Sequence, residues 1–142
     1  MDLVFTLICA ALVVALVVLT EVSEWKIFKK AGEKGWKSLI PFYSIFISHH
    51  IVGMKHIWFV LEIAIWTFET IIAAFIEFPE WFELLFFIFT TVFTLVNAVI
   101  HTSKMCDCFG KGTAFKLGMF FVPYIFPMIL AFGSAEYKKP ED

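Results

Sequence analysis

Two carboxylates, Glu62 and Glu69, lie inside the otherwise apolar run HIWFVLEIAIWTFETIIAAF. A charged side chain in the hydrocarbon of a bilayer costs about 3 kcal/mol on insertion scales unless it is paired or wetted. Seven positions apart, the two glutamates share one helical face. The next apolar run carries Thr90, Thr94, Asn97 and His101 at spacings of four, three and four, which is again one face. An antiparallel hairpin about Pro79 sets Glu62 level with Asn97, and Glu69 level with Thr90. Facing polar stripes of this kind have several uses. They hold helices together, at about 0.6–2 kcal/mol per polar pair. They line a path for cations or protons, with the glutamates as carriers or pore-lining charges. Protonated glutamates in an oligomer interface are a third reading.

A second set is His49, His50, His56, His101, Cys106, Asp107 and Cys108. Imidazole and thiolate are competent ligands for zinc or copper. The H-H and C-x-C spacings lack the geometry of common metal sites, so no specific metal site and no cofactor are expected. Interfacial histidines and loop cysteines account for the set equally well. Cys9 sits in an apolar run and reads as packing, and three cysteines do not suggest a disulfide framework. Catalytic signatures are missing: there is no H-E-x-x-H, G-x-S-x-G or phosphate loop. The aspartates Asp2, Asp107 and Asp142 all fall outside the apolar runs, and Gly110-Lys111-Gly112-Thr113 reads as a turn. An enzyme is not expected.

The elements that must position these residues are apolar helices. Of 142 residues, 61% are hydrophobic, and the mean hydropathy is +0.87. A soluble domain is usually about 45–50% apolar. The net charge of −2 offers no basic surface for nucleic acid. Four stretches match the roughly 20 apolar residues of a membrane span: about 3–20, 56–78, 81–101 and 114–133. The first lacks a basic leader and an A-x-A site, so it reads as a retained span rather than a signal peptide. Residues 21–55 form an interfacial segment: a short amphipathic helix ended by Gly32, then a surface-lying or partly inserted helix carrying Pro41. Trp25, Lys26, Lys29, Lys30, Trp36 and Tyr43 are its expected anchors to the headgroups. Lysines dominate 21–55 and 103–116, whereas 77–83 holds only acids. The positive-inside rule therefore puts the first two segments in the cytoplasm and the 77–83 turn outside. Four crossings then put both termini outside, which the pair Lys138-Lys139 opposes. Pro123 and Pro127 would kink the last span, and a re-entrant hairpin is an alternative.

The run WKIFKKAGEKGWKSLIPFYS from Trp25 to Ser44, together with the closing CFGKGTAFKLGMFFVPYIFPMILAFGSAEY, resembles a bacterial family of small polytopic membrane proteins. Members of that family are often labelled signal peptidase I. The resemblance spans roughly residues 1–137 and implies a bacterial cytoplasmic membrane location. The peptidase label does not carry over: that chemistry needs a Ser nucleophile and a Lys base on a sizeable β domain. No family-level catalytic or binding residue transfers, and Glu62, Glu69 and the His/Cys set lie outside the shared motifs. The expectation is one domain, residues 1–142: an all-α integral membrane protein with four transmembrane helices and one or two interfacial amphipathic helices. Its partners are the lipid bilayer and either further copies of itself, as a homo-oligomer, or another membrane protein. The leading function is a non-enzymatic module acting by such assembly. The alternatives are an oligomeric cation or proton channel using the Glu/Asn/His stripe, and an accessory to a membrane peptidase.

Overall fold

A computed structural model describes residues 2–75 and 77–140, apart from the side chains of residue 2 and residues 72–74. Among these residues all regular structure is helical. The order is α1 (Asp2–Lys30), a 3-10 turn (Gly35–Leu39), α2 (Pro41–Ile51), α3 (His56–Phe75), α4 (Glu80–Cys108), α5 (Thr113–Phe121) and α6 (Ile125–Phe132). Among the described residues two helices, Leu3–Lys30 within α1 and Glu80–Cys108, are long and apolar enough to cross a membrane. At 1.5 Å per residue, the 29 residues of each of α1 and α4 run about 43 Å.

The first expected span and the amphipathic helix after it are one continuous helix. No glycine or proline interrupts residues 2–30. The polar residues at the junction bond within the helix: Thr20 Oγ1 donates to Val17 O at 2.7 Å, and Ser23 Oγ to Leu19 O at 2.7 Å. The helix stops at Gly32, as expected, in a left-handed conformation (φ 82°). There Glu33 N donates to Phe28 O and Gly32 N to Lys29 O, the paired bonds of a Schellman cap. Gly53 ends α2 and Gly110 ends α4 with the same bond pattern. α4 accordingly runs past the expected limit at 101 to the first available glycine stop. The expected 103–116 loop shrinks to residues 109–112. Pro41 opens α2, where its missing N–H costs nothing.

The expected fourth span, 114–133, is not one helix. Pro123 cannot donate the next helical bond, and the chain leaves the helix at Val122 (φ −128°, ψ 67°). α5 and α6 then fold back on each other. The Phe115 and Phe126 rings meet edge to face at 4.9 Å, although eleven positions along a straight helix would separate them by about 16 Å. Gly118 allows this approach, since a methyl group there would overlap the Phe126 ring.

The core sits at one end of the bundle. Ile27 and Phe28 of α1 join Ile47 and Ile51 of α2, Met105 and Cys106 of α4, Met119 of α5 and Leu130 of α6. Lys30 crosses this end and donates from Nζ to Leu130 O and Gly133 O, both at 2.7 Å, capping α6. The C-terminal tail returns to the same end: Tyr137 Oη donates to Ile51 O at 2.7 Å and Lys138 N to Cys108 O at 2.6 Å. Residues 137–138 therefore lie at the end where α1 and α4 finish, away from the 77–79 turn, and not on that turn's side as four full crossings would require. From this core α3, most of α4 and the first two-thirds of α1 project. Residues 3–19 of α1 are all exposed.

Candidate functional site

α2 lies against the α3–α4 hairpin and turns Ser44, Ser48 and His49 toward it. α4 supplies Thr94, Asn97 and His101 at the spacing of one helical face, α3 supplies Glu62, and α1 contributes Glu24. These side chains line a cavity of about 280 Å³.

At its centre Asn97 Nδ2 donates to Glu62 Oε2 at 3.1 Å. His49 Nδ1 lies 2.8 Å from Ile45 O. A carbonyl only accepts, so Nδ1 carries the proton and the tautomer is set by the backbone of α2. That leaves His49 Nε2 facing Glu62 Oε2 at 3.6 Å. If the imidazole is neutral and the carboxylate ionised, two lone pairs confront each other at that distance. In those forms both atoms are acceptors, so a positively charged donor between them would suit both. His49 (4% exposed) and Asn97 (6% exposed) are buried, and His49 Nε2 and Asn97 Oδ1 have no hydrogen-bond partner. Such unpaired polar atoms are uncommon inside proteins and mark places where something else belongs. His101 stands beside this group, with Nε2 2.8 Å from Ser48 Oγ and its ring 5.4 Å from that of His49.

The stripe continues along the hairpin. Glu69, Thr90, Thr91 and Thr94 line a second cavity of about 240 Å³ between α3 and α4, with Trp66 beside them. Thr94 lines both cavities. The structure thus brings Glu62, Glu69, Thr90, Thr94, Asn97 and His101 into one polar seam, with Glu62 bonded to Asn97 and Glu69 sharing a cavity with Thr90.

The other candidates are scattered. His50 stacks on His56 at 6.2 Å, away from the His49–His101 pair. Cys106 Sγ approaches Met119 Sδ at 3.5 Å, and Cys108 Sγ points to Ile51 O at 4.0 Å. Asp107 is paired with Lys116 at 2.6 Å. Among the described residues no group of three or more His, Cys, Asp or Glu is placed to hold a metal ion. Two of the expected lipid anchors also turn inward: Lys30 caps α6, and Lys26 Nζ lies 3.8 Å from the centre of the Phe132 ring. Trp36 stacks on Tyr43 at 6.4 Å, Lys29 is exposed, and Trp25 packs on Gly35. Glu24, Ser44 and Ser48, together with the placing of His49 against Glu62, are what sequence reasoning missed. The Ser44/Ser48 spacing of four was a visible signal, but only the docking of α2 gives it meaning.

The chain belongs to DUF5684, a family of unknown function, whose model matches residues 36–140. That match includes every residue of the seam except Glu24. No curated protein and no solved structure matches the chain.

Proposed function

We propose that this family member is a multi-pass membrane protein that binds protons or small cations in the seam between α2, α3 and α4 and passes them along it. One observation carries this reading: a half-buried carboxylate faces an imidazole nitrogen whose tautomer is preset, 3.6 Å apart, in a cavity that shares Thr94 with a second one along the hairpin. His49 Nε2 and Asn97 Oδ1 are buried without a protein hydrogen-bond partner, which supports a role for the seam beyond joining helices.

The proposed topology has three crossings, α1, α3 and α4. The 20 residues of α3 match about 30 Å of hydrocarbon. α5 and α6, at nine and eight residues, are each too short to cross and form a re-entrant hairpin. Residues 21–55, the 109–112 turn and the C-terminal tail are then cytoplasmic, and 77–79 is outside. This arrangement removes the conflict over Lys138 and Lys139, since all the lysine-bearing segments fall on one side. The resemblance to bacterial proteins points to the cytoplasmic membrane. Assembly with further copies or a partner fits the same reading, because the exposed flank of α1 (residues 3–19) and the α3–α4 crevice offer surfaces that a neighbour would cover.

The test is ion flux in proteoliposomes of the purified protein. A pH-sensitive dye inside the vesicles reports proton entry. Wild type is expected to conduct, and Glu62→Gln and Thr94→Val to lower the rate by about tenfold or more, the effect of losing one charge-assisted or essential polar contact. Flux that is absent in wild type, or unchanged in Glu62→Gln, removes the seam from the function.

A further inference from the structure

His50 follows His49 on α2 but lines a separate cavity of about 510 Å³, at the end of the bundle to which the C-terminal tail returns. The tail builds part of its wall. Tyr137 Oη is bonded to Ile51 O and Lys138 N to Cys108 O, and Pro140 lies so close to Gly53 that a methyl group there would overlap its ring. These contacts place Lys139 in the lining, together with Lys55 from the turn between α2 and α3. His50 and His56 join them, their rings stacked 6.2 Å apart at 10°.

Charge in this lining is one-sided. Among the described residues Glu33 is its sole carboxylate, and Lys37, outside the cavity, already holds it at 2.6 Å. Lys55 and Lys139 have no carboxylate partner among the described residues. A neighbouring cavity of about 320 Å³ shares Lys139 and Pro140 and adds Lys104 and Lys138. Its carboxylate, Asp107, is in turn held by Lys116 at 2.6 Å. Four lysines thus gather along the tail while both nearby acids are engaged elsewhere, which favours an anion. α3 begins at His56, so the positive end of its dipole adjoins the same cavity. A carboxylate would bring one charge and two oxygens. A phosphate monoester brings up to two charges and three strong acceptor oxygens, enough for both lysines and the first N–H groups of α3 together. From the cavity α3 continues into exposed Ile57, Val60 and Leu61, apolar surface of the kind that acyl chains cover.

We propose that this cavity binds a phosphate monoester, held by Lys55, Lys139 and the start of α3. The group reaches the site either on a lipid headgroup or on a soluble phosphate ester. The site is separate from the polar seam, and only its lipid source draws on the proposed topology, which sets the start of α3 at headgroup depth.

The probe is radiolabelled dioleoylphosphatidic acid, a lipid phosphate monoester, titrated onto the full-length protein immobilised in detergent. One saturable site per chain is expected. Replacing both Lys55 and Lys139 by glutamine weakens it by about tenfold or more. Both side chains are exposed, so the fold should survive the change. Replacing Lys29 and Lys34 by glutamine removes the same charge from exposed lysines outside the cavity and leaves binding unchanged. Dioleoylphosphatidylcholine, a diester with a cationic headgroup, does not compete. Displacement of the probe by glycerol 3-phosphate identifies a soluble ester as a sufficient ligand; displacement by unlabelled phosphatidic acid alone identifies the lipid as the source. No saturable binding, equal competition by the choline lipid, indifference to loss of Lys55 and Lys139, or equal losses in the two double variants overturns the proposal. Proton flux through the seam is read in a different assay, so failure of either reading leaves the other standing.

Discussion

Replacing Lys30 by methionine keeps an unbranched stem of similar length and removes the donor that holds the α5–α6 hairpin to α1. In the native protein Nζ bonds Leu130 O and Gly133 O, both at 2.7 Å. The two bonds differ in worth. Leu130 is fully buried, so no water can replace the lost donor at its carbonyl, and a hydrogen bond to a charged group contributes about 1.5–3 kcal/mol. The bond to Gly133 is exposed, and water recovers most of it, leaving up to about 1 kcal/mol, which includes the cation's favourable interaction with the helix C-terminus. Docking of the hairpin should therefore weaken by about 1.5–4 kcal/mol, or roughly 10- to 700-fold in its equilibrium constant. The native thiols report this opening. Cys106 is fully buried, with Sγ 3.5 Å from Met119 of the hairpin. In a Cys9→Ser background, slow maleimide labelling of Cys106 tracks the undocked population whenever redocking is faster than labelling. Lys30→Met is expected to raise the labelling rate by the same factor, and Lys29→Met, at an exposed neighbour, to leave it unchanged. Equal rates in wild type and Lys30→Met would show that Lys30 does not hold the hairpin.

Gly118→Val should force the Phe126 ring off Phe115 and lower the melting temperature, at a cost of about 1–3 kcal/mol for overpacking. Adding Phe126→Leu should recover part of that loss, because the two positions touch. Burial, reinforced by Cys108 and Glu33, raises the Tyr137 phenol above its usual range. The folded state then holds this proton more tightly than the unfolded chain does. The contribution of Tyr137 is complete below about pH 10, the unfolded value, and is lost as pH rises through the higher folded value. Melting curves either side of that range should show a larger fall for wild type than for Tyr137→Phe. Gly32→Ala should cost about 1 kcal/mol in thermal stability, since alanine is strained at φ 82°.

The existence and apolar character of the long helices were legible in the sequence, because their signal is local. The level pairing of Glu62 with Asn97 was legible too: a hairpin about Pro79 and a helical period suffice to derive it, and the hydrogen bond is there. Helix ends read less well. The lysine-rich stretch after residue 20 looks like a new amphipathic element, yet nothing at 21–24 breaks the helix. Likewise Thr102 and Ser103 look like a loop, but α4 stops only where Gly110 permits the left-handed turn. The break at Pro123 was signalled by its missing N–H. Folding back, rather than a kink, depends on Gly118 meeting Phe126, a contact that no local pattern encodes. The same holds for Lys30, whose sequence neighbourhood suggests a lipid headgroup and whose actual partners lie 100 and 103 residues away. The role of His49 was hidden for a related reason. Its ring is aimed by a bond to Ile45 within α2, and only the packing of α2 on α3 brings Glu62 in front of it.

The central proposal is that Glu62 and the Nε2 atom of His49 act together as one cation-binding pair, and nitrogen NMR of histidine-labelled protein in lipid reads it most directly. With His49 assigned by substitution of the other histidines, the account predicts that Nδ1 is protonated. It also predicts that the Nε2 resonance is displaced from that of a free lone pair and returns toward it in Glu62→Leu. An Nε2 signal of a free lone pair in wild type, unmoved by Glu62→Leu, would contradict the account.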